Sequence, residues 1–283
     1  MTLRCGLEQL RRAAAEHRAI GGFTIYDVNA ALAIVAAAGQ AGTAVILQAG
    51  SSGFGVAGEA PLRALALAVA GYAMIDVGVH LDHSRDLDEL RRAVDAGYTS
   101  VMIDGSHLAF AANIALTRQA MQCVEGSDTW LEAELGAIGG DEDRSTDARA
   151  ASMTDPAQAK AFVDETGVHA LAVAVGNVHG FTAEPARLDL DRLLAIRDVV
   201  WVPLVLHGAS GLDPDDLRRA ISEGGVAKVN VNAEIRRAYV AGLGRGHEAC
   251  APDDLVGMWS IAREEITAAA SRVLAALDPL GGG

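Results

Sequence analysis

Eight short apolar runs of β-forming residues recur along this chain, and helical stretches lie between them. The runs are GGFTIY (21–26), TAVILQA (43–49), MIDVGVHLD (74–82), TSVMID (99–104), TWLEAEL (129–135), ALAVAV (170–175), VPLVLH (202–207) and AKVNVN (227–232). Stretches such as NAALAIVAAAGQA, LDELRRAVDAG and PAQAKAFVDETG separate them. Several have Asp, Ser or Thr near the start and Gly near the end, as helix caps prefer. Strands that alternate with helices pair in parallel. The count of eight, and the lack of a Gly-rich dinucleotide turn after the first run, favour an α/β fold of the (β/α)8 TIM-barrel type over a doubly wound open sheet. The 283 residues suit one large domain or two small ones, and the barrel pattern favours a single domain, expected to span 1–283. Within it the polar, unperiodic segment 139–155 reads as a mobile loop, and 252–278 as a C-terminal helical extension.

The net charge of −14 and the absence of any basic run argue against a nucleic-acid partner. No apolar stretch is long enough to suggest a membrane span, and the amphipathic N-terminal segment lacks the apolar centre of a signal peptide. Cys5, Cys123 and Cys250 have no metal-type spacing and read as free thiols, which predicts a cytoplasmic protein.

In a parallel barrel the carboxyl ends of all strands share one face, where active sites sit. The third run ends in HLDH with Asp82 and His83, the sixth leads into GNVHGF with His179, and the seventh ends in LVLHGASG with His207. A lone strand-end histidine is most often a hydrogen-bonded structural residue. Three that converge only if the barrel forms describe instead a catalytic zinc site with an open fourth position. Asp82 beside His83 suits general acid–base work, or else serves as a cap or salt-bridge partner. His80 falls on the same strand face as Asp82 and is given no ligand role. Asp104 and Glu134 end up at the same rim as an alternate metal position, as orienters of the histidines, or as inert polar rim. The tips HGF, HGASG and NVNAE let backbone N–H groups approach an anion, although glycine is also the ordinary turn residue.

Taken together, HLDHSRDLDELRRAVDAGYTSVMIDGSHL, EAELGAIGGDED, NVHGF, PLVLHGASGL and AKVNVNAEIR resemble the class II, zinc-dependent ketose-bisphosphate aldolases, which include the fructose- and tagatose-bisphosphate enzymes. The resemblance runs in order from about residue 20 to 240. It implies a lyase of carbohydrate metabolism that reversibly cleaves a ketose phosphate to dihydroxyacetone phosphate and an aldehyde through a zinc-stabilised enediolate. His83, His179 and His207 would bind one catalytic Zn2+ per subunit. Asp82 would move the proton at the C4 oxygen, and Glu142, in GGDED, the proton at C3. Gly180, Gly208, Ser210, Asn230 and Asn232 would bind substrate. A monovalent cation near the phosphate and a homo-oligomer, dimer or tetramer, are further implications of the resemblance. The other route to such a carbanion is a lysine Schiff base. Only Lys160 and Lys228 are available, one in a helical run and one at the start of the eighth strand, expected at the end far from the rim. Both read as structural.

The sequence departs from the family pattern in places. Ala233 stands where a phosphate-binding Thr is frequent, and Thr24 where Asn is. The segment CAPDDLVGMW holds no Arg at the place where some members carry one that reads the distal phosphate. Arg236, Arg237 and Arg245 are the candidate substitutes. A ketose 1-phosphate without the distal phosphate is therefore the alternative substrate. A metal-dependent sugar-phosphate epimerase and a non-catalytic assembly subunit are the competing functions.

Overall fold

The computed structural model describes residues 5–138, 152–181 and 185–279. Its strands are β1 (Ile20–Thr24), β2 (Val45–Gly50), β3 (Val77–Ser84), β4 (Ser100–Ile103), β5 (Trp130–Leu135), β6 (Ala170–Val173), β7 (Leu204–Leu206) and β8 (Val226–Val231). All pair in parallel, each with the next and β1 with β8, so the sheet closes as an eight-stranded barrel. All eight expected runs are strands, shifted at the ends by a few residues. The helices are α1 (Leu7–Ala15), α2 (Val28–Ala41), α3 (Ser51–Ala57), α4 (Glu59–Tyr72), α5 (Leu87–Asp95), α6 (Phe110–Val124), α7 (Pro156–Thr166), α8 (Leu190–Arg197), α9 (Pro214–Ser222), α10 (Ala233–Ala249) and α11 (Leu255–Ala276). Among the described residues, none is long and apolar enough to cross a membrane.

Aspartate caps start most of the connecting helices. Asp27, Asp86, Asp155, Asp189, Asp213 and Asp254 each accept a hydrogen bond from a backbone N–H of the first turn. Each such cap stabilises its helix by about 0.5–2 kcal/mol. Gly42 and Gly167 end α2 and α7 in the left-handed conformation.

Two apolar clusters hold the fold. The larger lies between the barrel and its ring of helices. The smaller fills the barrel below the rim with Ile20, Ile46, Trp130, Ala170, Ala172 and Val205, and α1 closes that end with Leu10 and Ala13. The upper barrel interior is polar instead: Gln48, His80, Asp82, Glu132, Lys228 and Asn230 are all buried. α10 and α11 pack closely because Gly242 and Gly246 lie one helical turn apart on the contact face. A Cβ at either would come within 2.6 Å of Ala262 Cα or 2.8 Å of Met258 Cα.

Candidate metal centre

Asp82 and His83 are sequence neighbours, yet both face the pocket, because β3 carries a bulge at its end. The register against β4 moves from Leu81↔Val101 to Ser84↔Ile103, so β3 holds one extra residue there. His83 absorbs it with φ of 47°, in the left-handed region that favours glycine. Such a conformation in a histidine costs about 1–2 kcal/mol.

His207 follows β7 directly and is fully buried, while His179 sits six residues beyond the end of β6. Asn177 ties those two segments together. Its Nδ2 donates to the carbonyls of Val173 (3.2 Å) and His207 (2.9 Å), and its Oδ1 accepts from Val175 N (2.7 Å). Gly208 allows the close approach: its φ is 57°, and a Cβ there would meet the Val178 carbonyl carbon and oxygen at 2.6 Å.

The three imidazoles converge. His83 Nε2 lies 2.8 Å from His207 Nδ1, and one ligand atom from each of His83, His179 and His207 lies within 4.8 Å of the others. Burial and the neighbouring histidines push the His179 pKa down to about 3, and burial lowers that of His207. Both rings are thus neutral at pH 7 and able to offer lone pairs. His179 Nε2 is buried with no hydrogen-bond partner among the described residues. Three converging imidazole nitrogens, one of them orphaned, fit a divalent ion of the zinc class.

Asp82 is held from two sides: Gln48 Nε2 donates to Oδ2 at 2.8 Å, and Asn230 Nδ2 to Oδ1 at 3.1 Å. Burial would raise its pKa, but His83, His207 and Lys228 outweigh this and hold the carboxyl below its usual range. On the far side of His83, Asp104 Oδ2 and Glu134 Oε2 lie 3.8 and 4.0 Å from Nδ1. The pair is pushed apart electrostatically. Burial opposes ionisation of Asp104, yet the neighbouring His83 and hydrogen bonds from Ser106 and Arg85 hold it well below the carboxylate range. Glu134 is driven up to about 8, chiefly by burial.

Of the expected substrate residues, Asn230 points into this layer, and its Oδ1 has no hydrogen-bond partner among the described residues. Asn232 immediately precedes α10, makes no capping hydrogen bond with its side chain, and accepts a hydrogen bond from Tyr26 Oη at 2.7 Å. Ser210 Oγ donates to Glu234. Gly180 and Gly208 both have positive φ, 81° and 57°. Ala233 is buried in the first turn of α10. Glu142 lies outside the described residues, as does 139–151 of the segment expected to be a loop.

One placement differs from the sequence expectation. Lys228 is not at an end remote from the site. Its side chain is fully buried inside the barrel, 2.8 Å from Glu132 Oε2, and Glu132 Oε1 lies 2.7 Å from His207 Nε2. The third residue of an inward-alternating strand, rather than the first, decides the depth: Lys228, Asn230 and Asn232 step up the same face towards the rim. Glu132, its partner, has no role in the sequence expectation either. The sequence carries a signal for both, since a barrel strand is covered on both faces, and a lone lysine in AKVNVN needs an acidic partner such as Glu132 of WLEAEL inside.

The family model for class II fructose-bisphosphate aldolases matches residues 6–281. The chain belongs to that family. It is an aldolase, a lyase that makes and breaks carbon–carbon bonds. The YdjI aldolase of Escherichia coli K12 shares 28% identity over 99% of both chains with a TM-score of 0.87. A candidate fructose-1,6-biphosphate aldolase from Coccidioides immitis shares 30% over 99% of this chain and 97% of its own, again at 0.87. A fructose-bisphosphate aldolase from Campylobacter jejuni, at 20% identity over 96% and 93% of the two chains and a TM-score of 0.82, shares the fold. The expected (β/α)8 architecture and aldolase membership both hold.

Proposed function

We propose that this aldolase cleaves a ketose phosphate reversibly to dihydroxyacetone phosphate and an aldehyde, with one Zn2+ per subunit on His83, His179 and His207. The observation that carries the reading is the convergence of those three imidazoles from the ends of β3, β6 and β7 beside the carboxylate of Asp82. A divalent ion there supplies Lewis acidity that stabilises negative charge developing next to the substrate carbonyl.

The chain's own residues handle binding and protons. In the cleavage direction Asp82 takes the proton of the C4 hydroxyl as the C3–C4 bond breaks and the aldehyde forms. The two bonding electrons pass to the three-carbon fragment as an enediolate. Glu142 then returns a proton to C3. Gln48 and Asn230 hold Asp82 as an acceptor aimed at the pocket. Gly180, Gly208, Ser210, Asn230 and Asn232 bind the dihydroxyacetone phosphate moiety, where backbone N–H groups at the starts of helices favour an anion, aided by a monovalent cation.

A second reading concerns the substrate's far end. Arg237 lies with Cζ 3.4 Å above the Phe181 ring, and Arg245 is paired with Glu265. Two candidate readers of a distal phosphate are thus engaged elsewhere, which favours a ketose 1-phosphate with an uncharged tail. A homo-oligomer belongs to the same proposal. Val240 on α10 and Val256 on α11 are 67% and 76% exposed, a large apolar exposure for two packed helices. The remaining parts of the proposal are a cytoplasmic location and a role in carbohydrate metabolism.

The test is a coupled assay for dihydroxyacetone phosphate with fructose and tagatose 1,6-bisphosphates and the matching 1-phosphates. Release that stops on chelation and returns with zinc supports the proposal. Sugar interconversion with no three-carbon product would replace it with an epimerase.

A further inference from the structure

Beneath the three imidazoles lies a charged pair that the aldol chemistry does not use. β5 turns Glu132 into the barrel and β8 turns Lys228 towards it; both side chains have no solvent exposure. Each carboxylate oxygen of Glu132 has its own donor. Oε2 accepts from Lys228 Nζ at 2.8 Å, and Oε1 lies 2.7 Å from His207 Nε2. A carboxylate can only accept there, so the proton of His207 sits on Nε2. Nδ1 is left with its lone pair, and Nδ1 is the atom that faces His83 Nε2 at 2.8 Å.

We propose that Lys228 is a positioning residue for the metal centre: it anchors Glu132, and Glu132 fixes both the tautomer and the ring orientation of His207, so that Nδ1 is presented to the ion. This rests on the metal-centre reading above. It gives the buried lysine a function other than Schiff-base chemistry. With one carboxylate oxygen anchored by Lys228, Glu132 cannot rotate away from His207. Without the ammonium, the buried carboxylate keeps only His207 in hydrogen-bond reach, with His80 Nε2 at 4.0 Å from Oε2, and the acceptor is no longer held in place. Partners of this kind behind a ligating histidine typically change metal affinity by about 10–100-fold when removed.

A purely structural ion pair makes a different prediction, because replacing both members of a buried pair by apolar residues is often neutral for folding. The test therefore compares two variants of the full chain, Lys228→Met and Lys228→Met/Glu132→Leu. Zn2+ affinity is read by competition with a chromophoric chelator, and ligand geometry by the visible spectrum of the Co2+ form. The expected result is Zn2+ binding about 10–100-fold weaker than the parent in both, with an altered Co2+ spectrum, even where the double variant melts at the parent's temperature. If Lys228→Met does not fold, the double variant decides alone. Parent-like zinc affinity and an unchanged Co2+ spectrum in a folded variant would overturn the inference and leave the metal centre standing. A parent chain that takes up no zinc would overturn both.

Discussion

Gly208→Ala is the perturbation whose consequence can be worked most directly from the structure. Gly208 has φ of 57°, and an alanine there pays the left-handed penalty of about 1–2 kcal/mol. The added methyl would lie 2.6 Å from the carbonyl carbon and oxygen of Val178 and 2.9 Å from His179 N, against 3.4–4 Å for ordinary contact. The obstacle is backbone, so either the β6 loop or the β7 loop must move by close to an ångström. Overpacking of that kind adds about 1–3 kcal/mol, for a total of roughly 2–5 kcal/mol. At about 2–4 °C per kcal/mol for a chain of this size, the melting temperature falls by roughly 4–20 °C. The segments forced apart carry His179 and His207, so zinc affinity falls with stability. The assay is thermal melting with and without zinc, beside chelator competition. Gly244→Ala is the control. Gly244 is exposed on α10 with nothing within 4 Å of a Cβ, and alanine there adds about 0.5–1 kcal/mol of stability. If Gly208→Ala melts with the parent and binds zinc as tightly, the close approach of the two loops is not what holds the site.

Other expectations follow from the same geometry. Asp82→Asn keeps the size of the side chain but replaces one acceptor oxygen with a donor facing Gln48 or Asn230; kcat drops by about 10²–10⁴-fold with KM changed far less, measured by steady-state kinetics. Ala233→Thr places a hydroxyl at the first turn of α10. It lowers KM for dihydroxyacetone phosphate by up to about tenfold, as one added hydrogen bond of about 0.5–1.5 kcal/mol allows, and an unchanged KM would remove that turn from the phosphate site. Borohydride added with substrate leaves activity intact, because Lys228 is committed to Glu132; substrate-dependent inactivation with a label on Lys228 would contradict this.

The barrel was legible because parallel strands covered on both faces read as short, dense apolar runs, and eight of them stand between capped helices. Asp82, His83, His179 and His207 were legible because a polar residue gains nothing at the tip of a buried strand unless the rim uses it. The pairing of Glu132 with Lys228 was missed for a physical reason. Neither residue lies at a strand tip: the polar layer extends one step down the barrel, where alternation, not position at the tip, marks the residue. The bulge at His83 left no trace in the sequence, since the positive φ falls on a histidine rather than a glycine. Nor could sequence show that Asn177 ties the His179 loop to the backbone of His207, a contact between residues thirty apart.

The central claim is that one divalent ion is bound by imidazoles from three different strand ends. Anomalous diffraction at the zinc edge from crystals of the zinc-loaded enzyme tests it most directly. The account predicts a single peak per chain with nitrogens of His83, His179 and His207 at about 2.0–2.1 Å. A zinc-loaded crystal with no peak between those rings, from enzyme that turns over fully after exhaustive chelation, would contradict it.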